Sequence, residues 1–165
     1  MSLLDYEDAK ELVRELLDKS LGVSTFVGPK TGRLIKLAEE RLSLKFPDTY
    51  HHFLLEYGAG GVGGVEFYGV VQEEFEQSGY PDVVWLTLKG RREWDLPEYL
   101  LPVYDLGDGE LYCLDFRKKV GDEVKVVGFT PGYSTPEQSL DIVAEDFGKL
   151  FLDQVKLALN IKREE

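Results

Sequence analysis

Five glycines fall within the seven residues Gly58-Ala59-Gly60-Gly61-Val62-Gly63-Gly64, and the chain changes character across them. Before this run the apolar residues recur at helical spacing. After it they fall into short β-like runs divided by turns. The order is helices, then strands, then one last helix, with no repeated βαβ unit. That order predicts an α+β fold, a mostly antiparallel sheet flanked by helices, in a single domain. A chain of 165 residues is the size of one domain around one core.

Asp5 to Ser20 reads as a helix, because Ala9, Leu12, Val13, Leu16 and Leu17 form one apolar stripe. Asp5 is its expected N-cap and Gly22 follows its end. A second helix spans about Arg33 to Leu44, with Leu34, Leu37, Ala38, Leu42 and the stem of Arg41 inward. Phe46-Pro47 stops it, and Pro47 opens a third helix that turns Tyr50, Phe53, Leu54 and Tyr57 inward. Gly58 is the expected left-handed cap. Val65 to Tyr68 reads as a short strand and Gln72 to Tyr80 as a surface loop. Asp82 to Trp94 fits a buried strand or a helix; a helix capped by Asp82 is the expectation. Leu101 to Tyr104, Glu110 to Phe116 and Val124 to Phe129 are strands with connections short enough to force antiparallel pairing. Tyr112, Leu114 and Phe116 then share one face, and Leu111, Cys113 and Asp115 the other. Ser139 is expected to cap the closing helix, with Asp141 in its first turn and Leu140, Val143, Ala144, Phe147, Leu150 and Phe151 inward.

Asp and Glu number 31 against 19 Lys and Arg, a formal net charge of −12. That balance disfavours nucleic acid and anionic membranes as partners, since both are polyanions. It suits a basic partner, or serves solubility alone. A single cysteine, Cys113, cannot form an internal disulfide. Nothing near Met1 resembles a signal peptide and no apolar run approaches a membrane span, so the expected location is the cytoplasm.

Few residues carry the pattern of a catalytic or metal site. Gly58, Gly60 and Gly63 form a G-x-G-x-x-G, but a dinucleotide site needs a strand before it and a helix after it. Here the order is reversed, so the run reads as a helix cap and a flexible connector. His51 and His52 point about a hundred degrees apart on a helix and lack a Cys or third His to complete a metal site. Cys113, mid-strand, has no local base to activate it. Asp105, Asp108, Glu110 and Asp115 cluster around a turn without calcium-loop spacing. No cofactor or metal is therefore expected; the paired carboxylates Asp105, Asp108 and Asp115 could serve a hydrolase, although acid-rich turns are usually only solvated. Glu73, Glu74, Glu76, Asp105, Asp108, Glu110, Asp122 and Glu123 lie on three connecting segments. On one side of the fold they would make a negative face rimmed by Tyr68, Tyr104 and Tyr112, suited to a basic partner.

Three blocks resemble the SUKH superfamily, and within it the branch shared with fungal cell-wall-synthesis regulators. The first comprises Leu37, Glu40 and Leu42, then Phe46-Pro47, Tyr50 and Phe53-Leu54, then Tyr57-Gly58-Ala59-Gly60-Gly61. Ala59-Gly60-Gly61 stands where the family has an Asn-Gly-Gly-like turn. The second is Gly107-x-Gly109 followed by Tyr112-Cys113-Leu114-Asp115, and the third is Phe147 with Leu150-Phe151. They span roughly Leu34 to Leu157, with the helix before Ser20 in addition. The resemblance implies helices around a mostly antiparallel sheet and no catalytic motif. Bacterial members look like immunity proteins that bind the toxin domain of polymorphic toxins, including the LXG type of Gram-positive bacteria. The toxin is often a nuclease. The expectation is a cytoplasmic antitoxin; the alternative is a non-catalytic interaction or regulatory module, as the fungal relatives suggest.

Overall fold

A computed structural model describes residues 2–19, 23–132 and 140–164 of the chain. Three helices come first: α1 (Ser2–Asp18), α2 (Gly32–Leu42) and α3 (Asp48–Glu56). Thr31 caps α2, its hydroxyl accepting from the Leu34 N–H at 3.2 Å. Pro47 precedes α3, and Gly58, at φ 77°, turns the chain away from its end in the left-handed region. The inward faces follow the expected periodicity, with differences in α1 and α2: Leu17 of α1 is exposed, and Asp5 lies in the first turn of that helix rather than at its cap. Ile35 is fully buried in α2, whereas Leu34 and Leu37 are half-buried and Arg41 is exposed.

The glycine run is a hairpin rather than a flexible connector. β1 (Gly60–Val62) pairs antiparallel with β2 (Val65–Phe67), with Val62 opposite Val65. Gly63 and Gly64 make the two-residue loop at φ 64° and 87°, the primed turn whose twist matches the strands. A Cβ on Gly61 would lie 1.6 Å from the Val65 carbonyl oxygen, so this position takes no side chain.

α4 (Val83–Glu93) is a helix, as expected, and Asp82 is its cap. The Asp82 Oδ1 accepts from the N–H groups of Val84 at 2.8 Å and Trp85 at 3.1 Å. Then β3 (Leu100–Asp105), β4 (Leu111–Val120), β5 (Glu123–Phe129) and β6 (Ile142–Ala144) form a four-stranded antiparallel sheet in chain order. The fold is therefore α+β.

The chain's end differs from the expectation. The closing helix, α5 (Phe147–Glu164), begins after β6, and Ile142–Ala144 is a strand on β5. Leu140, Val143, Ala144 and Phe147 match helical spacing, but a segment with two consecutive β-branched residues, Ile142 and Val143, beside an open sheet edge pairs with it instead. Asp146 occupies the cap position, its Oδ1 accepting from the Lys149 N–H at 2.9 Å. Asp141 thus precedes the helix; its carbonyl accepts from the Gly128 N–H. Ser139 and Gly22 lie outside the described residues.

Phe53 sits at the centre of the larger core with no solvent exposure. The rings of Phe26, Tyr50, Tyr57, Phe67, Phe147 and Phe151 surround it at centroid distances of 5.2–6.4 Å. α1 packs Tyr6, Ala9, Val13 and Leu16 into the same core, with Tyr6 tilted against Phe151. Leu114 faces this core, while Leu111 and Cys113 face a smaller one with Leu96, Leu100, Val127 and Phe129. Both faces of the sheet are thereby covered. Phe53→Ala should destabilise the protein by about 3–5 kcal/mol, read as a lower urea midpoint at unchanged slope.

Candidate partner-binding surface

Four of the residues expected at a partner surface, Tyr104, Asp105, Asp108 and Glu110, meet at the β3–β4 turn. Two carboxylates build the turn: Asp105 Oδ1 accepts from the Gly107 N–H at 2.8 Å, and Asp108 Oδ1 from the Glu110 N–H at 3.0 Å. Antiparallel register places Tyr104 opposite Tyr112, and their rings lie stacked at 6.0 Å. Gly128 stands across from Tyr112 on β5. With no side chain there, the Glu110 carboxylate folds over the strand; a Cβ on Gly128 would come within 2.7 Å of its Oε2.

Tyr68 joins this group because its N–H donates to the Val103 carbonyl at 2.9 Å, fastening the end of β2 to β3. Tyr80 stands edge-on to Tyr68 at 5.2 Å, and its hydroxyl donates to Glu66 at 3.1 Å. Burial raises all four phenols, Tyr68 up to about 12 with the Asp105 charge adding to it. They therefore remain protonated hydrogen-bond donors at neutral pH. Sequence reasoning missed Glu66 and Tyr80. Glu66 shows only as the outward residue between Val65 and Phe67, and Tyr80 carries no local signal.

The remaining acids lie elsewhere. Glu73 pairs with Arg33 at 3.3 Å and Glu76 with Arg41, both against α2, beside exposed Glu74. Asp122 is at the opposite end of β4 from Asp108, about 30 Å along a ten-residue strand. Asp115 is held by Arg117 at 2.7 Å, with that guanidinium over the Tyr99 ring. The three acidic segments thus do not make one face. Among the described residues, Glu66, Asp105, Asp108 and Glu110 have no Lys or Arg partner, in contrast to Glu73, Glu76 and Asp115.

Glu123 corrects an expectation outright: it is 9% exposed and faces inward. Its carboxylate accepts from the Thr49 N–H and the Thr49 hydroxyl, both at 2.9 Å. The same hydroxyl accepts from the Gly148 N–H at 3.0 Å. The carboxylate therefore ties the β4–β5 hairpin to the first turn of α3, and the Thr49 hydroxyl relays the junction to an orphan N–H of α5.

The other candidates have structural environments. His52 lies 3.6 Å from Asp48 and against the Tyr6 ring, while Glu56 binds Lys10 and the Tyr6 hydroxyl. Cys113 is fully buried, and burial pushes its thiol up, away from the thiolate a nucleophile needs. Among the described residues, no three His, Cys, Asp or Glu side chains are grouped to hold a metal ion, and no helix is long and apolar enough to cross a membrane.

Burial pushes the Glu123 carboxyl up from 4.5 to about 7, with smaller contributions from the Asp146 and Asp48 charges against the two Thr49 hydrogen bonds. A folded pKa above the unfolded one favours the fold only while the group is protonated. That stabilisation is complete below pH 4.5 and is lost as pH rises through about 7. The melting temperature should therefore fall between pH 5 and pH 8, a loss of roughly 3 kcal/mol from this group. Glu123→Gln should flatten that part of the profile in paired thermal melts.

A SUKH family model, SUKH_5, described as SMI1-KNR4 cell-wall, matches residues 9–156. The match runs from within α1 to within α5 and takes in every strand. With nearly the whole chain matched, this protein belongs to the SUKH family.

Proposed function

We propose that this protein is an immunity protein: it binds a cognate toxin domain in the producing cell and blocks it without catalysing a reaction. The toxin domain that fits best is a nuclease, whose active surface must present Lys and Arg to phosphates. The observation that carries this reading is the group Glu66, Asp105, Asp108 and Glu110, four carboxylates without cationic partners among the described residues, around the tyrosines 68, 80, 104 and 112. Tyrosine supplies large contact area and a hydrogen-bond donor at low entropic cost. Unpaired carboxylates supply attraction that is not already spent within the fold. A net charge of −12 extends that attraction beyond contact distance and speeds encounter with a basic partner. Membership of the SUKH family agrees with it, since the resemblance set out above implies toxin binding.

Coexpression with toxin domains encoded beside its gene tests the proposal. A stable complex at low ionic strength, weakening as salt is added, is the expected result; no complex with any of them would refute it. In that complex Asp108→Asn with Glu110→Gln should slow association by about tenfold at low salt. Glu73→Gln with Glu76→Gln should change it far less, because Arg33 and Arg41 already balance those charges. Stopped-flow association rates across a salt series distinguish the two.

A further inference from the structure

On the Leu111 side of the β3–β4 turn, the face of the sheet opposite Tyr104 and Tyr112, lies a cavity of 310 Å³. Leu86, Trp94, Leu111 and Pro131 wall it, and Asp105 is the one charged residue at its edge. Leu86 and Leu111 are almost wholly buried, so their cavity-facing atoms are a floor set by the fold. Trp94 is half-buried, kept in place where its ring meets Gly90; a Cβ on that glycine would lie 2.9 Å from it. Asp105 is exposed and gives one oxygen to the Gly107 N–H. No Lys or Arg among the described residues pairs with it.

We propose that this cavity is the anchor point of the interface, taking one long basic side chain, Arg or Lys, from the partner protein. The inference rests on the reading that this surface binds a basic protein. The chemistry selects the occupant. An apolar side chain would satisfy the walls but would crowd the Asp105 carboxylate without giving it a counter-charge. An acidic one would meet Asp105 head-on, with Asp108 and Glu110 close by in the chain. A basic side chain meets both demands, because its hydrocarbon stem lies on Leu86, Leu111 and Pro131 while its head reaches the carboxylate. Trp94 adds a ring face for the cation. Pockets of this kind, apolar with one convergent charge, are where interface energy concentrates.

Trp94 is one of two tryptophans, so Trp85→Phe leaves a single emitter inside the cavity wall. The probe is a capped decapeptide of alternating Arg and Gly, against the same peptide with citrulline, which keeps the stem and loses the charge. The arginine peptide should shift Trp94 emission saturably at low salt and the citrulline peptide should not. Asp105→Asn, which preserves the acceptor for the Gly107 N–H, should weaken the arginine peptide by about tenfold, the loss of one charge-assisted hydrogen bond. Backbone amide shifts of the unsubstituted protein give the same readout if Trp85→Phe folds poorly. Equal binding by Asp105→Asn, or by the citrulline peptide, would overturn the proposal. So would saturation by butylguanidine alone as tightly as by the peptide, the signature of a small-molecule pocket. The titration uses no toxin, so its failure is separable from failure of the immunity function. A toxin complex that tolerates Asp105→Asn would reject the anchor and leave that function standing.

Discussion

The aromatic packing around Phe53 is the contact on which the other arrangements depend. Its ring touches aromatic rings from the connector before α2, from α3 itself, from β2 and from α5. Edge-to-face and tilted rings at these distances have few alternative arrangements, because interiors are packed like crystals. Once α3 and α5 are seated against that ring, their first turns converge at Thr49 and Gly148. Glu123 then closes the junction from the sheet side. The far end of the β4–β5 hairpin is thereby committed to the fold.

The opposite end of the sheet is organised differently. There the β3–β4 turn is held by its own carboxylates, and Tyr104 and Tyr112 remain half-buried. The fold therefore sorts its acids by partner. Glu73 and Glu76 beside α2 are balanced by arginines, Asp115 by its neighbour two residues on, and Glu123 by helix N–H and hydroxyl donors. Those at the tyrosine end have no counter-charge among the described residues. A net charge spread evenly would favour solubility more than recognition. A local excess beside aromatic surface is what the proposed partner would meet.

The helical half of the molecule was legible in advance because its signals are local. Tyr50, Phe53 and Leu54 at helical spacing, Pro47 before them and Gly58 after them suffice to place α3. Asp82 similarly identified α4, whose apolar run alone was ambiguous. The misreadings have the opposite character. Ile142–Ala144 became a strand because β5 offered an edge, which no window of sequence around it contains. The glycine run became a hairpin because Gly61 must pass against Val65 and a two-residue turn must close it, a pairing that periodicity cannot register in so short a strand.

By itself the sequence determined the helices α1 to α4, the central strands, the α+β class, the acidic excess and several of the core aromatics, all properties of composition and of spacing within a few residues. The tertiary structure decided which acids share a surface. Glu66 and Tyr80 come from segments fourteen residues apart, and Tyr80 meets Tyr68 only through the loop's return to β2. Glu123 looked like another turn carboxylate, and burial beneath two helix ends made it structural. Charge is a property of the residue, but whether that charge is available to a partner depends on what the fold brings within hydrogen-bonding distance of it.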